Sequence, residues 1–227
     1  MRVAIHQPNF LPWIGYFYKM ASCDLFIYLD DVQFTKNSYQ NRVKIKTPQG
    51  GQWLTLPVLQ NFGQLTNEVK INNKENWRDK HLRTLEMNYK KTPGFPAVYD
   101  LIKRVYECQE WSVMSDLNIA LIEEVATFIG LKTPRIKSSE LAVSGSSTDR
   151  LVNLVKKFNG TTYLSGSGGS KYQEEALFTA QGIEVHYSDF IHPVYPQPWG
   201  EFIKGASIVD FLFNHESGTS YLNLFKT

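Results

Sequence analysis

The sequence predicts an α/β protein with a mostly parallel sheet, flanking helices, a β-hairpin and a helical insertion. Strand-like apolar runs alternate with helical patterns near both ends of the chain, as in consecutive βαβ units. Of the 227 residues, 42% are hydrophobic and 14% aromatic, which is enough for a full core. We therefore expect one α/β domain over residues 1–227, interrupted by helices at about residues 70–130.

The first elements predict a βαβ unit. Residues 2–6 indicate a short buried strand, because nearly all of the run RVAIH can be covered on both faces. Pro8 and Pro12 exclude a helix between them, since each restricts the residue before it. Pro12 then suits the first turn of a helix that continues to Met20. Residues 25–29 indicate the second strand, which we expect to be parallel to the first with a right-handed crossover.

The middle of the chain predicts a hairpin and three helices, after which the α/β alternation resumes. Residues 42–46 and 52–58 alternate in polarity around a turn at 48–51, which is typical of a hairpin. Gly130 is expected to cap the last of the three helices. The helices are predicted at 75–91, 97–109, 112–130, 148–158 and 170–181, and the remaining strands at 135–137, 161–164 and 183–187.

Composition argues against several classes of protein. The formal net charge is +2 and the basic residues are scattered, unlike those of a dedicated nucleic-acid-binding protein. Cys23 and Cys108 are too few for a disulfide framework and too isolated for a zinc site. Polar residues at 6–9 break the first apolar run, unlike a signal peptide, and no run is long enough to span a membrane. We therefore expect a cytoplasmic protein.

Polar residues follow the first two predicted strands. His6 and Gln7 end the first strand, whereas Asp30, Asp31 and Gln33 follow the second. In a parallel sheet, ligands bind outside the carboxyl ends of the strands, where the strand order reverses. We therefore expect a ligand crevice here, with the alternative that His6 only hydrogen-bonds the backbone of the next strand. Either carboxylate could hold Mg²⁺ through water beside a bound nucleotide, but no spacing of histidines or cysteines indicates a dedicated metal site.

A glycine-rich segment follows one of the later predicted strands. Ser165, Gly166, Ser167 and Gly168 precede a helix that we expect to open at Ser170. The backbone N–H groups of such a loop, together with a helix N-terminus, can hold a phosphate or a carboxylate. The alternative is an ordinary strand-to-helix turn that needs positive φ, because the motif is neither a dinucleotide fingerprint nor a P-loop.

An aromatic, proline-rich segment at residues 189–197 follows the last predicted strand. Tyr195 and Gln197 in this segment could form a wall that stacks against a base or a sugar ring. The alternative is a seam on which the C-terminal segment 207–214 docks. The sequence favours neither interpretation over the other.

Several motifs together resemble those of the WbqC-like family, and the resemblance covers essentially the whole chain. The motifs are HQP at 6–8, PWIGY at 12–16, DDVQF at 30–34, NR at 41–42, WLTLP at 53–57, YLSG at 163–166, YPQ at 195–197 and SIVD at 207–210. This resemblance implies a role in the biosynthesis of bacterial surface polysaccharide (O-antigen).

The first βαβ unit is also similar in layout to that of nucleotidylyltransferases, whose first helix opens with a His-x-Gly-His motif that binds ATP phosphates. This similarity implies ATP with Mg²⁺ as the candidate cofactors. Here, however, Trp13 and Tyr16 stand where the two histidines would be, and no Lys-Met-Ser-Lys-Ser-type loop is evident. Positive charge would instead come from His6, Lys19, Lys36 and Arg42.

The first functional hypothesis is an enzyme that transfers an acyl or aminoacyl group, for example glycyl, to an amino-sugar precursor by amide formation. His6 is the candidate acid/base, with an unperturbed pKa near 6.5, and Asp30 and Asp31 are the other catalytic candidates. The candidate substrate-binding residues are Gln7, Trp13, Tyr16, Lys19, Gln33, Lys36, Asn41, Arg42, Ser165, Gly166, Ser167, Gly168, Tyr195 and Gln197. The second hypothesis is a non-catalytic module that binds a nucleotide-sugar. The expected partners are a nucleotide-sugar or amino-sugar and an amino acid, with nucleic acid entering only as an aminoacyl-tRNA donor.

Overall fold

The computed structural model describes residues 1–169 and 173–216. The strands are β1 (Arg2–His6), β2 (Leu25–Tyr28), β3 (Arg42–Thr47), β4 (Gly50–Thr55), β5 (Val58–Leu59), β6 (Lys70–Ile71), β7 (Arg135–Lys137), β8 (Thr162–Ser165) and β9 (Glu184–Tyr187). The α-helices are α1 (Ile14–Ala21), α2 (Trp77–Tyr89), α3 (Phe95–Glu107), α4 (Met114–Phe128), α5 (Ser147–Lys157), α6 (Glu175–Thr179) and α7 (Ile208–Phe213). The α/β class predicted from the sequence is confirmed.

Five strands form one sheet in the order β7-β2-β1-β8-β9, and every neighbouring pair is parallel. When these five strands alone are numbered along the chain, their order is 3-2-1-4-5, so the direction of winding reverses between β1 and β8. The strands β3 with β4 and β5 with β6 form two small antiparallel pairs outside this sheet. The reversal defines where a ligand crevice is expected in an open α/β sheet.

The central strand β1 is buried on both faces because helices cover both sides of the sheet. Ala4 belongs to a hydrophobic cluster with α1 and the inserted helices, whereas Val3 and Ile5 belong to a cluster with α5 and α6. Side chains of an extended chain alternate between faces, so His6 lies on the side of Ala4. The helix α1 begins after Trp13, whose extended backbone (φ −71°, ψ 164°) follows the two prolines.

Three helices fill the predicted insertion between β6 and β7. Their observed bounds differ from the predicted ones by two residues at each end, and α4 is followed by Gly130 at φ 81°, as expected of a C-terminal cap.

None of the helices in the described part of the chain is both long and apolar enough to cross a bilayer.

The C-terminal helix α7 packs against the insertion at Gly94. A Cβ atom on Gly94 would lie 2.2 Å from the carbonyl oxygen of Leu212, and its N–H donates to the carbonyl of Phe213 at 2.9 Å. Ser207 caps α7 by accepting from the N–H of Val209, and it donates to the carbonyl of Leu11 at 2.7 Å. These contacts tie the end of the described chain to the loop that leaves β1.

Two predicted elements differ from the structure by more than two residues at a boundary. The helix predicted over 170–181 appears as the five-residue α6, which begins at Glu175, and the predicted start at Ser170 lies outside the described residues. The strand predicted over 52–58 divides into β4 and the short β5, because Pro57 interrupts the ladder. The short pair β5 with β6 was not predicted, since two-residue strands give no periodic pattern.

Candidate functional site

The carboxyl ends of β1, β2 and β8 lie at the same edge of the sheet, as predicted. His6 pairs with Tyr28 at the end of β2, and Ala4 pairs with Leu164 near the end of β8. The last β1–β8 pair is therefore two residues before His6, so the two strands separate here. The point of reversal lies between His6 and Ser165. We call this gap between the strand ends, where a ligand is expected, the crevice.

Lys19 of α1 reaches into this gap. Its Nζ donates to the carbonyl of Ile5 at 2.8 Å and lies 6.0 Å from the ring centroid of Tyr163, while its residue is only 4% exposed. Among the described residues no carboxylate forms an ion pair with it. Burial lowers the pKa of Lys19 to about 8, because desolvation penalises the ammonium form. The crevice thus contains an ammonium group without a counter-charge.

His6 is adjacent to this ammonium and is held neutral. Its ring stacks on Tyr16 with centroids 4.8 Å apart, and its enclosed Nδ1 has no hydrogen-bond partner among the described residues. Burial, followed by the nearby charge of Lys19, lowers the pKa of His6 to about 3, although the residue as a whole is only half-buried. This differs from the value near 6.5 expected from the sequence, which does not register burial. A proton acceptor with so low a pKa is a weak base at neutral pH.

Gln7 lies on the opposite face of the sheet from His6. It lines a cavity of about 190 Å³ against the start of α5, together with Thr148 and Arg150. The two neighbours therefore do not face one crevice together, because the extended backbone sends them to opposite faces. Tyr16 contacts both residues, because its ring stacks on His6 and its hydroxyl donates to the carbonyl of Gln7 at 3.2 Å.

Asp30 and Asp31 are both engaged by the segment that follows β7. Asp30 is 2% exposed and accepts from the hydroxyl and N–H of Ser139 at 2.7 and 3.0 Å. Asp31 accepts from Ser138 and forms a short ion pair with Arg150. These contacts hold the end of β2 against β7, and a Mg²⁺ ion bound through either carboxylate would have to displace them.

The glycine-rich segment departs from the expected turn. Gly166 and Gly168 do not have positive φ, and a Cβ atom at either one would meet nothing within 4 Å. The close approach is at Gly169, where a Cβ atom would lie 2.1 Å from Oγ of Ser165. That hydroxyl donates to Oε1 of Gln173 at 2.8 Å. The open backbone fits the approach of a ligand. The sequence also predicted that a helix N-terminus at Ser170 would help to bind an anion, but α6 begins at Glu175, whose carboxylate would repel one.

The segment 189–197 contacts both Trp13 and the C-terminal helix. Trp13 packs edge-on against Phe190 at 5.3 Å. Tyr195 and Gln197 both donate to Oδ1 of the fully buried Asp210 at 2.7 Å. These contacts favour the docking seam over the stacking wall.

The other predicted substrate-binding residues lie in the loop after β2 and at the start of β3. Gln33 and Lys36 are exposed, and Asn41 is 3% exposed, with its amide donating to the carbonyl of Leu56. Arg42 stacks on Trp53 with its Cζ 4.3 Å from the ring centroid. The loop before β3 is joined to the loop leaving β1, because the N–H of Phe10 donates to the carbonyl of Tyr39.

Some residues around the crevice were not predicted. Gln173 links Ser165 to the hydroxyl of Tyr163, and Arg150 neutralises Asp31. For Arg150, the only indication in the sequence was its position at the start of a predicted helix. Nothing in the sequence indicated a role for Gln173. No group of three or more His, Cys, Asp or Glu side chains in residues 1–169 and 173–216 is arranged to hold a metal ion.

Comparisons with known proteins identify relatives of the chain without a known activity. A family model described as the WbqC-like protein family matches residues 7–220. An uncharacterized protein of Mycobacterium tuberculosis (strain H37Rv), Rv1507c, is 36% identical over 216 residues, which covers 94% of this chain and 93% of the relative. No solved structure matches the chain significantly.

Proposed function

The chain belongs to the WbqC-like protein family, and on that premise we propose that it is an enzyme of bacterial surface-polysaccharide biosynthesis. The proposed reaction is the transfer of an acyl or aminoacyl group, for example glycyl, to the amine of an amino-sugar precursor. The product is an amide. The pathway is what the motif resemblance implies, and the reaction class is supported by the chemistry of the crevice.

The observation that carries the proposal is the buried ammonium group of Lys19 between the ends of β1 and β8. An uncompensated buried cation is costly, and in an open α/β sheet it stands where ligands bind. A substrate with an anionic or carbonyl oxygen would supply the missing partner. A pKa of about 8 also keeps Lys19 mostly protonated at neutral pH while allowing it to give up a proton.

The proposed chemistry balances without a redox partner. The amine attacks the acyl carbon, the bond from that carbon to its leaving group breaks, and one amine proton is released. Lys19 would stabilise the oxygen that becomes negative and protonate the leaving group. It would then recover the released proton. Neutral His6 would accept a hydrogen bond from the attacking amine and orient it.

Product analysis tests this proposal. The protein is incubated with UDP-linked amino sugars and one of three donors: glycine with ATP and Mg²⁺, an acyl-coenzyme A, or glycyl-tRNA. The expected result is a mass increase of the amino sugar that equals one acyl group, with one donor and with wild-type protein. No amide product with any donor, despite binding of the amino sugar, would contradict the proposal.

The second candidate function is a non-catalytic module that binds a nucleotide-sugar. It is favoured by the low pKa of His6 and by the hydrogen bonds and ion pair that engage Asp30 and Asp31, which leave all three predicted catalytic groups poorly suited to proton transfer. His6→Gln discriminates between the functions. A binding module should lose affinity, whereas an enzyme that uses His6 for orientation should lose turnover while the affinity stays within about threefold.

A further inference from the structure

The hairpin of β3 and β4 presents an outward face of basic and aromatic side chains. In the register of the hairpin, Lys44 is directly opposite Trp53, and Arg42 lies two residues along the same face. The opposite face carries Val43 and Ile45, which are buried in the core. The outward face is polar because side chains alternate between the two faces of a strand. We call Tyr39, Arg42, Lys44 and Trp53 the hairpin face.

The two cations are held together on one aromatic ring. Cζ of Arg42 lies 4.3 Å and Nζ of Lys44 lies 5.2 Å from the ring centroid of Trp53. Tyr39 completes the cluster at 5.9 Å from the same ring, and Trp53 and Tyr39 remain 38% and 47% exposed. Cation–π contacts fix the position of both charges without neutralising them.

The segment of the chain that builds this face contains no acidic side chain. Residues 32–67 contain four cations and neither aspartate nor glutamate. In the described part of the chain neither Arg42 nor Lys44 forms an ion pair, and Nε of Arg42 is enclosed without a hydrogen-bond partner. Because two like charges are held side by side without a counter-charge, they favour a ligand that carries roughly two negative charges.

We infer that the hairpin face binds a nucleoside diphosphate, namely the nucleotide part of the sugar substrate. Its diphosphate would contact Arg42 and Lys44, and its base would stack on the exposed part of Trp53 beside Tyr39. A single pair of cations and aromatics matches one nucleotide rather than a longer strand. This inference rests on the proposed function for the identity of the attached sugar, but binding at the face does not require turnover.

Titration calorimetry with UDP and GDP tests the inference. Both nucleotides should bind the wild-type protein, because stacking tolerates any base, whereas uridine should not bind measurably. Trp53→Ala and the double variant Arg42→Gln/Lys44→Gln should each weaken UDP binding at least about tenfold. Trp53→Phe should keep most of the affinity, which guards against a folding defect in the alanine variant.

The matched controls are Trp199→Ala and Lys91→Gln, which change an exposed tryptophan and a lysine of another surface groove. Both should bind UDP like wild type. Equal affinity of wild type and the double variant would overturn the inference. So would a single-stranded oligonucleotide that binds about tenfold more tightly than UDP.

If transfer activity is absent but UDP binds as described, the proposed function fails and this site stands. If transfer occurs but UDP binding is insensitive to the hairpin face, the reverse holds. The two proposals are therefore tested independently.

Discussion

At the scale of single residues, the feature that sets this chain apart is a lysine buried without a carboxylate. Lysine is almost never fully buried unless it is paired, because removing an ammonium group from water costs several kcal/mol. Here Lys19 has the carbonyl of Ile5 as its hydrogen-bond acceptor, and its pKa falls to about 8. The neighbouring His6 is kept neutral by the same burial. The group that titrates near neutral pH is therefore Lys19 and not the histidine that the sequence indicated.

The pKa of Lys19 can be measured directly. In protein labelled with ¹³C at the lysine ε-carbon, one resonance should titrate near pH 8, whereas exposed lysines titrate near 10.4. The resonance should disappear in Lys19→Arg and persist in Lys91→Arg. A spectrum in which every lysine titrates near 10.4 would contradict the described burial.

Two buried histidines predict a loss of stability in acid. Their folded pKa values, about 3 for His6 and about 4 for His81, are below the unfolded value of 6.5. The unfolded state therefore binds more protons below pH 6.5, so the free energy of unfolding falls as pH decreases from 6.5 towards 4. Each group contributes a slope of at most about 1.4 kcal/mol per pH unit, and less for His6, which is only half-buried.

Urea denaturation at pH 7, 6, 5 and 4 checks this prediction. His6→Gln should reduce the dependence of the unfolding free energy on pH relative to wild type, because glutamine does not titrate. Identical slopes for wild type and His6→Gln would show that His6 is protonated equally in both states.

At the scale of elements, the loop after β8 contains one glycine that is required for packing and others that are open to a ligand. A Cβ atom at Gly168 meets open space, whereas one at Gly169 meets Ser165 and Gln173. Gly168→Ala should therefore change the unfolding free energy by less than about 0.5 kcal/mol, and Gly169→Ala should lower it by about 1–3 kcal/mol. Thermal denaturation measures both.

If the backbone of this loop also binds an anion, Gly168→Ala should weaken protection by phosphate without affecting the protein alone. Phosphate that stabilises wild type and Gly168→Ala equally would instead favour a plain turn.

The docking of α7 depends on a buried carboxylate. Asp210 is fully buried and accepts hydrogen bonds from Tyr89, Tyr195 and Gln197 at 2.6–2.7 Å. Asp210→Ala leaves these donors unsatisfied and should lower the unfolding free energy by about 3–5 kcal/mol. Asp189→Ala removes an exposed carboxylate and should lower the unfolding free energy far less. Equal midpoints in urea for both variants would mean that the seam contributes nothing to stability.

At the scale of the whole molecule, periodicity and proline positions were enough to predict the parallel sheet, the first βαβ unit and the three inserted helices. They also predicted that His6, Asp30 and the loop after β8 share one edge, because parallel strands end together. The alternation of an extended chain implies that His6 and Gln7 face opposite sides, but the sequence could not predict that Arg150 reaches Asp31. That contact depends on packing between elements distant in sequence, which a local pattern does not contain.

The proposed function depends on the crevice between β1 and β8, and Lys19→Met tests it most directly. Methionine fills the same space without a charge, so the variant should be as stable as wild type or more stable by about 1–3 kcal/mol. With the acyl donor that supports transfer, its kcat/KM should fall about 10²- to 10⁴-fold, whereas Lys91→Met should match wild type. A Lys19→Met protein that is stable and transfers acyl groups at the wild-type rate would contradict the account.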